Sequence, residues 1–186
     1  MILTGPEIRK RFDAGSITIN PFDEKQLNPA SYDLRLGDHY AVYVLNTWED
    51  GENDVLDTKK DNPIEDLLIQ PGGLMLRPGQ LYLMHTVEHV LSESCVPIVD
   101  GKSSIGRLGV SVHQTAGFGD PGFDGQYTLE VTCVHPVRLY AGMRICQIRF
   151  HTTLGEVVPY QGNYTGSKSR GPVPSMSWKQ FLKEGK

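Results

Sequence analysis

The sequence predicts a mainly β protein, a distorted β-barrel or jelly roll with one short N-terminal helix. Two observations predict this fold class. The 186 residues include 20 glycines and 12 prolines, and these turn formers recur between short stretches of β-branched and aromatic residues. Many short strands with regular turns are typical of closed or double-sheet β architectures, and this length fits one hydrophobic core.

The predicted helix covers residues 4–14. Thr4 and Glu7 have the spacing of a capping box, in which each side chain bonds the other's main-chain N–H, and Pro6 lies in the first turn. Gly15 ends the helical pattern. We therefore expect a short amphipathic helix that is capped by Thr4.

After Gly15 the apolar residues follow the pattern of strands. The predicted strands are residues 17–19, 40–44, 81–84, 96–99, 127–134, 137–140, 145–152 and 156–159. Residues 46–66 are polar and acidic, which predicts a surface insertion. Because no linker divides the chain, we expect one domain over residues 1–186, with residues 161–186 as a Gly- and Pro-rich C-terminal lid or tail.

Composition excludes several classes of protein. A net charge of −4 argues against a protein that coats nucleic acid, since such binding needs many cationic contacts. No apolar run approaches the roughly 20 residues that cross a membrane, and the first residues do not resemble a secretory signal. Three widely spaced cysteines indicate reduced, buried thiols. We expect a cytoplasmic protein.

Two short motifs resemble known sites but lack their context. Residues 85–89 match the H-x-x-E-H pattern of zinc enzymes, yet the segment is predicted as a strand, where residues four apart lie about 13 Å from each other and cannot share an ion. Residues 101–103 resemble the end of a P-loop, but Val96 occupies the position of the required first glycine. We expect neither zinc nor a P-loop.

Residues 101–109 form the segment best suited to an oligophosphate. They combine Lys102, Ser103, Ser104 and Arg107 with three glycines and contain no acidic side chain. Glycines let main-chain N–H groups approach a phosphate, and arginine supplies planar, charged donors. The same composition would also suit a solvated turn.

Residues 116–125 form a dense turn that leads into the predicted strand containing Glu130. This glutamate stands between Leu129 and Val131. On the solvent face it would be an ordinary alternating residue. Facing inward, it would be a candidate general acid and base, because burial favours the protonated form of a carboxyl group.

Together with Pro29–Gly37 and Arg170–Pro172, these motifs resemble those of the dCTP deaminases, in the trimeric dUTPase-like superfamily. The resemblance covers nearly the whole chain. It implies a distorted β-barrel of the dUTPase-like type and a homotrimer whose active sites lie between subunits. It also implies dCTP as substrate, dUTP as product and dTTP as a feedback ligand.

The resemblance also implies roles for individual residues. Glu130 matches the catalytic glutamate, and Ser103 together with the Ala116 carbonyl would hold the attacking water, with Arg107 nearby. The chain lacks the sequence pattern of zinc deaminases, so the implied mechanism is metal-free. The implied nucleotide-binding residues are Lys102, Ser103, Ser104, Ile105, Gly106, Arg107, Asp120, Thr128, Leu129, Glu130, Gln147, Tyr160 and Lys168.

Some relatives continue from dUTP to dUMP and pyrophosphate, and four positions bear on this second reaction. Gly117 stands where deaminase-only relatives carry histidine, and the smaller glycine would leave room for a second water. Gln147 resembles the dUTP-hydrolysing pattern. Asp120 would then activate the water, with Mg²⁺ bound through the triphosphate. Gly119 replaces a usual isoleucine, which would make the turn before Asp120 more flexible.

Three other functions compete with dCTP deamination. A dUTP pyrophosphatase would share the fold but carry an apolar residue at the position of Glu130. A non-catalytic nucleotide-binding module on the same barrel would lack Glu130 or Arg107, and both are present. A structural jelly-roll protein would explain the strands but not the composition of residues 101–107.

Overall fold

The computed structural model describes residues 1–45, 55–166 and 171–183. These residues form a mainly β structure, as predicted. The strands are Ile17–Asn20 (β1), Tyr32–Tyr43 (β2), Ile64–Leu68 (β3), Leu74–Leu76 (β4), Tyr82–Ser92 (β5), Cys95–Gly101 (β6), Val110–Ser111 (β7), Asp124–Cys133 (β8), Val137–Leu139 (β9) and Arg144–Thr152 (β10). The α-helices are Gly5–Asp13 (α1) and Ser103–Gly106 (α2), and 3-10 helices cover Glu24–Gln26 and Ser177–Lys183.

Eight strands form one barrel-like antiparallel sheet. Its main path runs β6-β10-β2-β5-β8-β7, while β1 pairs with β5, β3 pairs with β2, and β4 and β9 form a separate pair. The register shifts between β2 and β5 and again between β5 and β8. Such bulges bend and twist strands, which lets an open sheet curl around a core. The fold class is therefore confirmed.

Apolar side chains from every long strand fill the interior. Leu34 and Leu36 of β2, Leu129 of β8 and Phe150 of β10 are all at most 1% exposed. Ile8 of α1 is completely buried and joins the same cluster. Burial of a side chain of this size contributes about 2 kcal/mol, so this shared core fixes the position of each strand.

The predicted helix is present, but the predicted capping box is wrong. The Thr4 side chain makes no capping hydrogen bond, and only its carbonyl accepts the Ile8 N–H, at 2.8 Å. Glu7 instead accepts a hydrogen bond from Arg11 Nε at 3.1 Å. A charged partner one turn along the helix thus replaces the reciprocal bond that the capping box would require.

Strand lengths differ from the sequence prediction. The predicted strand at residues 81–84 is the start of the eleven-residue β5, and that at 40–44 is the end of the twelve-residue β2. Burial on both faces hides the alternation that marks a strand.

The prediction of a surface insertion over residues 46–66 is also wrong in part. Residues 46–54 lie outside the described ranges, whereas Ile64–Leu68 pairs with β2 as β3.

The strand predicted at residues 156–159 is absent from the structure. Gly155, at φ 97°, turns the chain away from β10. Tyr160 N–H then donates to the Pro121 carbonyl at 2.8 Å. Pro159 cannot donate to a strand ladder, so this segment packs as a loop against the turn before β8.

Cys95, Cys133 and Cys146 are buried and unpaired, as predicted. Burial raises the pKa of the Cys133 and Cys146 thiols, which keeps them protonated and unreactive. No helix in the described part of the chain is both long and apolar enough to span a membrane.

Candidate active site

Glu130 lies on the open face of β8. Its neighbours Leu129 and Val131 face the core and are at most 1% exposed, whereas Glu130 is half-buried on the opposite face. Leu83 of β5 stands directly across from Glu130 in the strand register. The carboxyl group is therefore half-buried beside an apolar side chain.

Glu130 borders a cavity of about 550 Å³, a volume suited to a small organic ligand. β8, the turn before it and the C-terminal segment form its walls. The lining residues are Tyr43, Leu81, Leu83, Gln114, Thr115, Ala116, Phe118, Gly119, Asp120, Phe123, Gln126, Tyr127, Thr128, Glu130, Tyr160, Tyr164, Val173, Pro174 and Ser175. Five of the predicted site residues thus meet here, namely Ala116, Asp120, Thr128, Glu130 and Tyr160.

The turn before Asp120 is fastened to the edge of β6. Val99 N–H donates to the Gly117 carbonyl at 2.7 Å, and Gly119 N–H donates to the Pro97 carbonyl at 2.8 Å. A Cβ atom at Gly117 would overlap the Val99 carbonyl oxygen and crowd the His113 ring. Gly117 is therefore required by close main-chain approach, and the room for a second water at this position stays a prediction.

Gly119 does not loosen the turn, contrary to the sequence prediction. Besides its bond to Pro97, a Cβ atom there would lie 3.0 Å from the Tyr127 hydroxyl. Tyr127 thus occupies the space that a larger side chain at position 119 would fill. Its hydroxyl is buried and has no hydrogen-bond partner among the residues that the structure describes, and burial raises the pKa of this phenol.

The C-terminal segment covers one side of the cavity. Gly171 N–H donates to Gln126 Oε1 at 2.9 Å, and Val173 N–H donates to Thr128 Oγ1 at 3.1 Å. Ser175 N–H donates to the Tyr43 hydroxyl at 3.0 Å. Residues 171–175 therefore follow β8 across the cavity. Lys168 lies outside the described residues.

The predicted phosphate segment lies elsewhere on the chain. Ser103, Ser104, Gly106 and Arg107 are exposed around α2, and none of them lines the cavity. Ile105 is 6% exposed and packs in the core, so only its main chain is available to a ligand. Leu129 is equally restricted to main-chain contacts. The structure does not bring these residues together with Glu130 in one copy of the chain.

Lys102 is held by a buried carboxylate. Its Nζ lies 2.9 Å and 2.8 Å from the two oxygens of Asp33, which is 0% exposed. Asn28 Nδ2 and Arg144 Nη1 also donate to Asp33, at 2.8 and 3.3 Å. Sequence analysis missed this cluster. The available signal was Asp33, which stands between Tyr32 and Leu34. A charge buried at such a position needs partners.

Gln147 lies beside a smaller cavity of about 240 Å³, apart from Glu130. Ser31 Oγ donates to its Oε1 at 3.1 Å, and its Nε2 donates to the Gly101 carbonyl at 3.3 Å. Through Gly101 this side chain is connected to the start of the phosphate segment. Gln147 therefore belongs with residues 101–107 rather than with the Glu130 cavity.

The H-x-x-E-H segment lies within β5, as predicted. His85 Nδ1 is 2.9 Å from the Thr86 carbonyl, and His89 Nε2 is 3.2 Å from Asp124. Glu88 is completely buried, and its oxygens accept hydrogen bonds from Arg35 and from Gln26. Among the described residues no group of three or more His, Cys, Asp or Glu is arranged to hold a metal ion.

Comparison with known proteins agrees with this geometry. Residues 2–153 match the model of the family described as dCTP deaminase-like. A protein of Leptospira biflexa named dCTP deaminase, dUMP-forming is 48% identical over 185 residues, which covers 99% of this chain and 100% of that one. A protein of the same name from Hathewaya histolytica is 47% identical over 182 residues, covering 97% of this chain and 99% of that one.

A solved structure leads to the same family. The crystal structure of 2'-deoxycytidine 5'-triphosphate deaminase from Agrobacterium tumefaciens superposes with a TM-score of 0.63 and 25% sequence identity. The match covers 82% of this chain and 48% of that one, so this chain corresponds to about half of the larger protein. The fold, the Glu130 cavity and the family match over residues 2–153 agree with one another. This chain belongs to the dCTP deaminase-like family.

Proposed function

We propose that this chain removes the amino group of dCTP by hydrolysis and then hydrolyses the dUTP to dUMP and pyrophosphate. The observation that carries the proposal is the half-buried Glu130 on the wall of a cavity large enough for a small organic ligand such as a nucleoside. Its support is the match along the full chain to relatives named dCTP deaminase, dUMP-forming. A plain dUTP pyrophosphatase would have no use for a carboxyl group at this position.

Deamination at C4 requires three proton movements that one carboxyl group can perform. Glu130 takes a proton from the attacking water, gives a proton to N3 and then passes the second water proton to the departing ammonia. In the proposed site the Ser103 hydroxyl and the Ala116 carbonyl orient the water, and Arg107 supports the charge of Glu130. Ala116 is supported by its place on the same cavity wall as Glu130.

The rest of the nucleotide would extend away from Glu130. Thr128, the Leu129 main chain and Tyr160 would contact the pyrimidine and sugar, together with Lys168. Ser103, Ser104, Arg107 and the main-chain N–H groups of Ile105 and Gly106 would bind the triphosphate. Their exposure and the lack of an acidic side chain within residues 101–109 suit a polyanionic ligand.

The second reaction would use Asp120, which is exposed at the edge of the same cavity. It would take the proton from a water that attacks the α-phosphorus, with pyrophosphate as the leaving group. Gln147 would contribute from the phosphate side. Mg²⁺ would enter with the triphosphate, whose oxygens are its preferred ligands, and would reduce the negative charge that repels the water.

The separation of Glu130 from residues 101–107 supports a homotrimer as the working form. A complete site would combine the Glu130 cavity of one copy with the phosphate segment of another. Because dTTP has both a pyrimidine and a triphosphate, it would compete at the same site as a feedback ligand. The three unpaired thiols suit a reducing compartment, and we propose a cytoplasmic location.

Residues 161–186 would act as a lid within a single domain. The hydrogen bonds of residues 171–175 to Gln126, Thr128 and Tyr43 support this role, because they place the segment over the cavity mouth. Thr128 is also a proposed base contact, so the segment would need to shift or share this hydroxyl when the nucleotide binds.

One pair of assays tests the proposal. The purified protein is incubated with dCTP, and ammonia is measured; it is incubated separately with dUTP and Mg²⁺, and pyrophosphate is measured. We expect both products. Ammonia without pyrophosphate would leave a deaminase that stops at dUTP, pyrophosphate alone would favour a dUTP pyrophosphatase, and neither product would favour a nucleotide-binding module.

A further inference from the structure

Gln114 lies in the loop between β7 and the turn at residues 116–120. It bonds to β8 at two points, the Glu130 carboxyl group and Thr132. Its main-chain N–H donates to Glu130 Oε2 at 2.9 Å. Its side-chain Nε2 donates to Thr132 Oγ1 at 3.0 Å, with the Glu130 carbonyl at 3.5 Å. One residue thus holds both the carboxyl group and the strand that carries it.

The strand register makes this connection possible. Thr132 is two residues from Glu130 and lies on the same face of β8, opposite Ser111 of β7. The chain leaves β7 at Ser111 and reaches Gln114 three residues later, directly over this face. The loop therefore crosses β8 where a hydroxyl and a carboxyl group are both within reach of Gln114.

We propose that Gln114 and Thr132 form a clamp that positions Glu130 for deamination. Neither residue contacts the substrate in this proposal, so both are positioning residues. The inference rests on the proposed function, because it assigns how Glu130 is oriented for that reaction. The Gln114–Thr132 hydrogen bond fixes the main chain of Gln114, and the main-chain N–H fixes Oε2.

The clamp also assigns the two carboxyl oxygens. A main-chain N–H can only donate, so Oε2 is its acceptor throughout the reaction. The proton that Glu130 takes from water must then reside on Oε1. Within the described residues no hydrogen bond reaches Oε1, which leaves this oxygen available to water and to N3 of the base.

Stability does not require the clamp. Gln114 is exposed, and a hydrogen bond between neutral groups contributes only about 1 kcal/mol to folding. Catalysis is more sensitive, because a displacement of about 1 Å at a reacting group can cost about 100-fold in rate. Loss of the clamp should therefore reduce ammonia release much more than it changes folding.

The test compares the two reactions of one protein. Thr132→Val removes the hydroxyl and keeps the shape of the side chain. We expect kcat for ammonia release from dCTP to fall about tenfold with KM nearly unchanged, since the carboxyl group is misplaced but the binding groups are intact. The ratio of ammonia release to pyrophosphate release from dUTP should fall by the same factor, because only the first reaction uses Glu130. Thr132→Ser should restore the ratio.

Two further variants separate the possible outcomes. Gln114→Met removes the amide at an exposed position and should reproduce the effect of Thr132→Val even if that variant folds poorly. Thr153→Val makes the same substitution at a hydroxyl that bonds the Ser94 carbonyl outside the cavity, and it should leave both rates unchanged. Unchanged ammonia release in Thr132→Val and Gln114→Met, with an active wild type, would overturn the clamp alone. A wild type that releases no ammonia would overturn the proposed function and the clamp with it.

Discussion

The Glu130 cavity and the phosphate segment differ in how completely one chain builds them. The cavity has walls from β8, from the turn at residues 116–120 and from residues 171–175; hydrogen bonds fasten the turn to β6 and residues 171 and 173 to β8. The phosphate segment is anchored by the buried Ile105 and by Lys102, which is bonded to the buried Asp33, but Ser103, Ser104 and Arg107 are exposed. One region is enclosed, and the other is an open surface.

This difference indicates which part of the proposed site is built by packing within one chain. A base-sized pocket needs apolar walls and few polar groups, and these can be supplied within one barrel. A triphosphate needs several cationic and N–H donors that stay solvated until the ligand arrives. In the proposed homotrimer, an exposed donor segment would fit against a neighbouring copy's cavity and close each site between two chains.

The largest effect is expected at Glu130. Glu130→Gln should reduce ammonia release from dCTP at least about 1,000-fold, since an amide cannot carry protons between water, N3 and ammonia. Affinity for dCTP should change little, because the proposed triphosphate contacts lie elsewhere. Steady-state ammonia assays and titration calorimetry measure the two quantities.

Glu156→Gln is the matched control, since this exposed glutamate lies outside the cavity. It should leave both quantities unchanged. Near wild-type ammonia release from Glu130→Gln would contradict the deamination mechanism. An equal loss of dCTP affinity would instead show that the cavity and the phosphate segment bind the nucleotide as one unit.

The second effect tests whether the two regions meet across subunits. Arg107→Ala and Glu130→Gln should each be nearly inactive alone. If each site takes Glu130 from one chain and Arg107 from another, an equal mixture that is unfolded and refolded together should recover about a quarter of wild-type activity, because that fraction of sites has both intact residues. Ammonia release before and after refolding measures the recovery.

The separately refolded variants are the control for this experiment. Recovery only in the joint mixture supports sites shared between chains. An inactive joint mixture of trimers, confirmed by sedimentation, would place both residues in sites made by one chain. A wholly monomeric protein with high activity would contradict the homotrimer itself.

The sequence predicted the barrel and the residues of the cavity more fully than their surroundings. Glycines, proline and one carboxyl group within an apolar strand are local signals that marked the turn at residues 116–125 and Glu130, and the family resemblance then assigned Ala116 and Asp120. The close approach at Gly117 could not be predicted from the sequence, because the Val99 carbonyl that excludes a side chain there comes from β6. Contacts between distant strands leave no local pattern.

Lys102 shows the same limit in the other region. Its place beside two serines and a glycine predicted a phosphate ligand, whereas its ammonium group is bonded to Asp33, 69 residues earlier. A lysine has the same sequence signature whether it faces a ligand or a buried carboxylate. Only the pairing of β10 with both β2 and β6 brings Asp33 close to the start of α2.

The smallest expected effect follows from this ion pair and concerns stability. Lys102→Met should lower the free energy of unfolding by about 2 kcal/mol, because the buried Asp33 loses its main partner and retains Arg144 and Asn28. Ser104→Ala, at an exposed neighbouring position, should change it by less than about 0.5 kcal/mol. Urea denaturation measures both values. If Lys102→Met unfolds like the wild type but binds dCTP weakly, Lys102 is a phosphate ligand, and the segment is more open than its contact with Asp33 indicates.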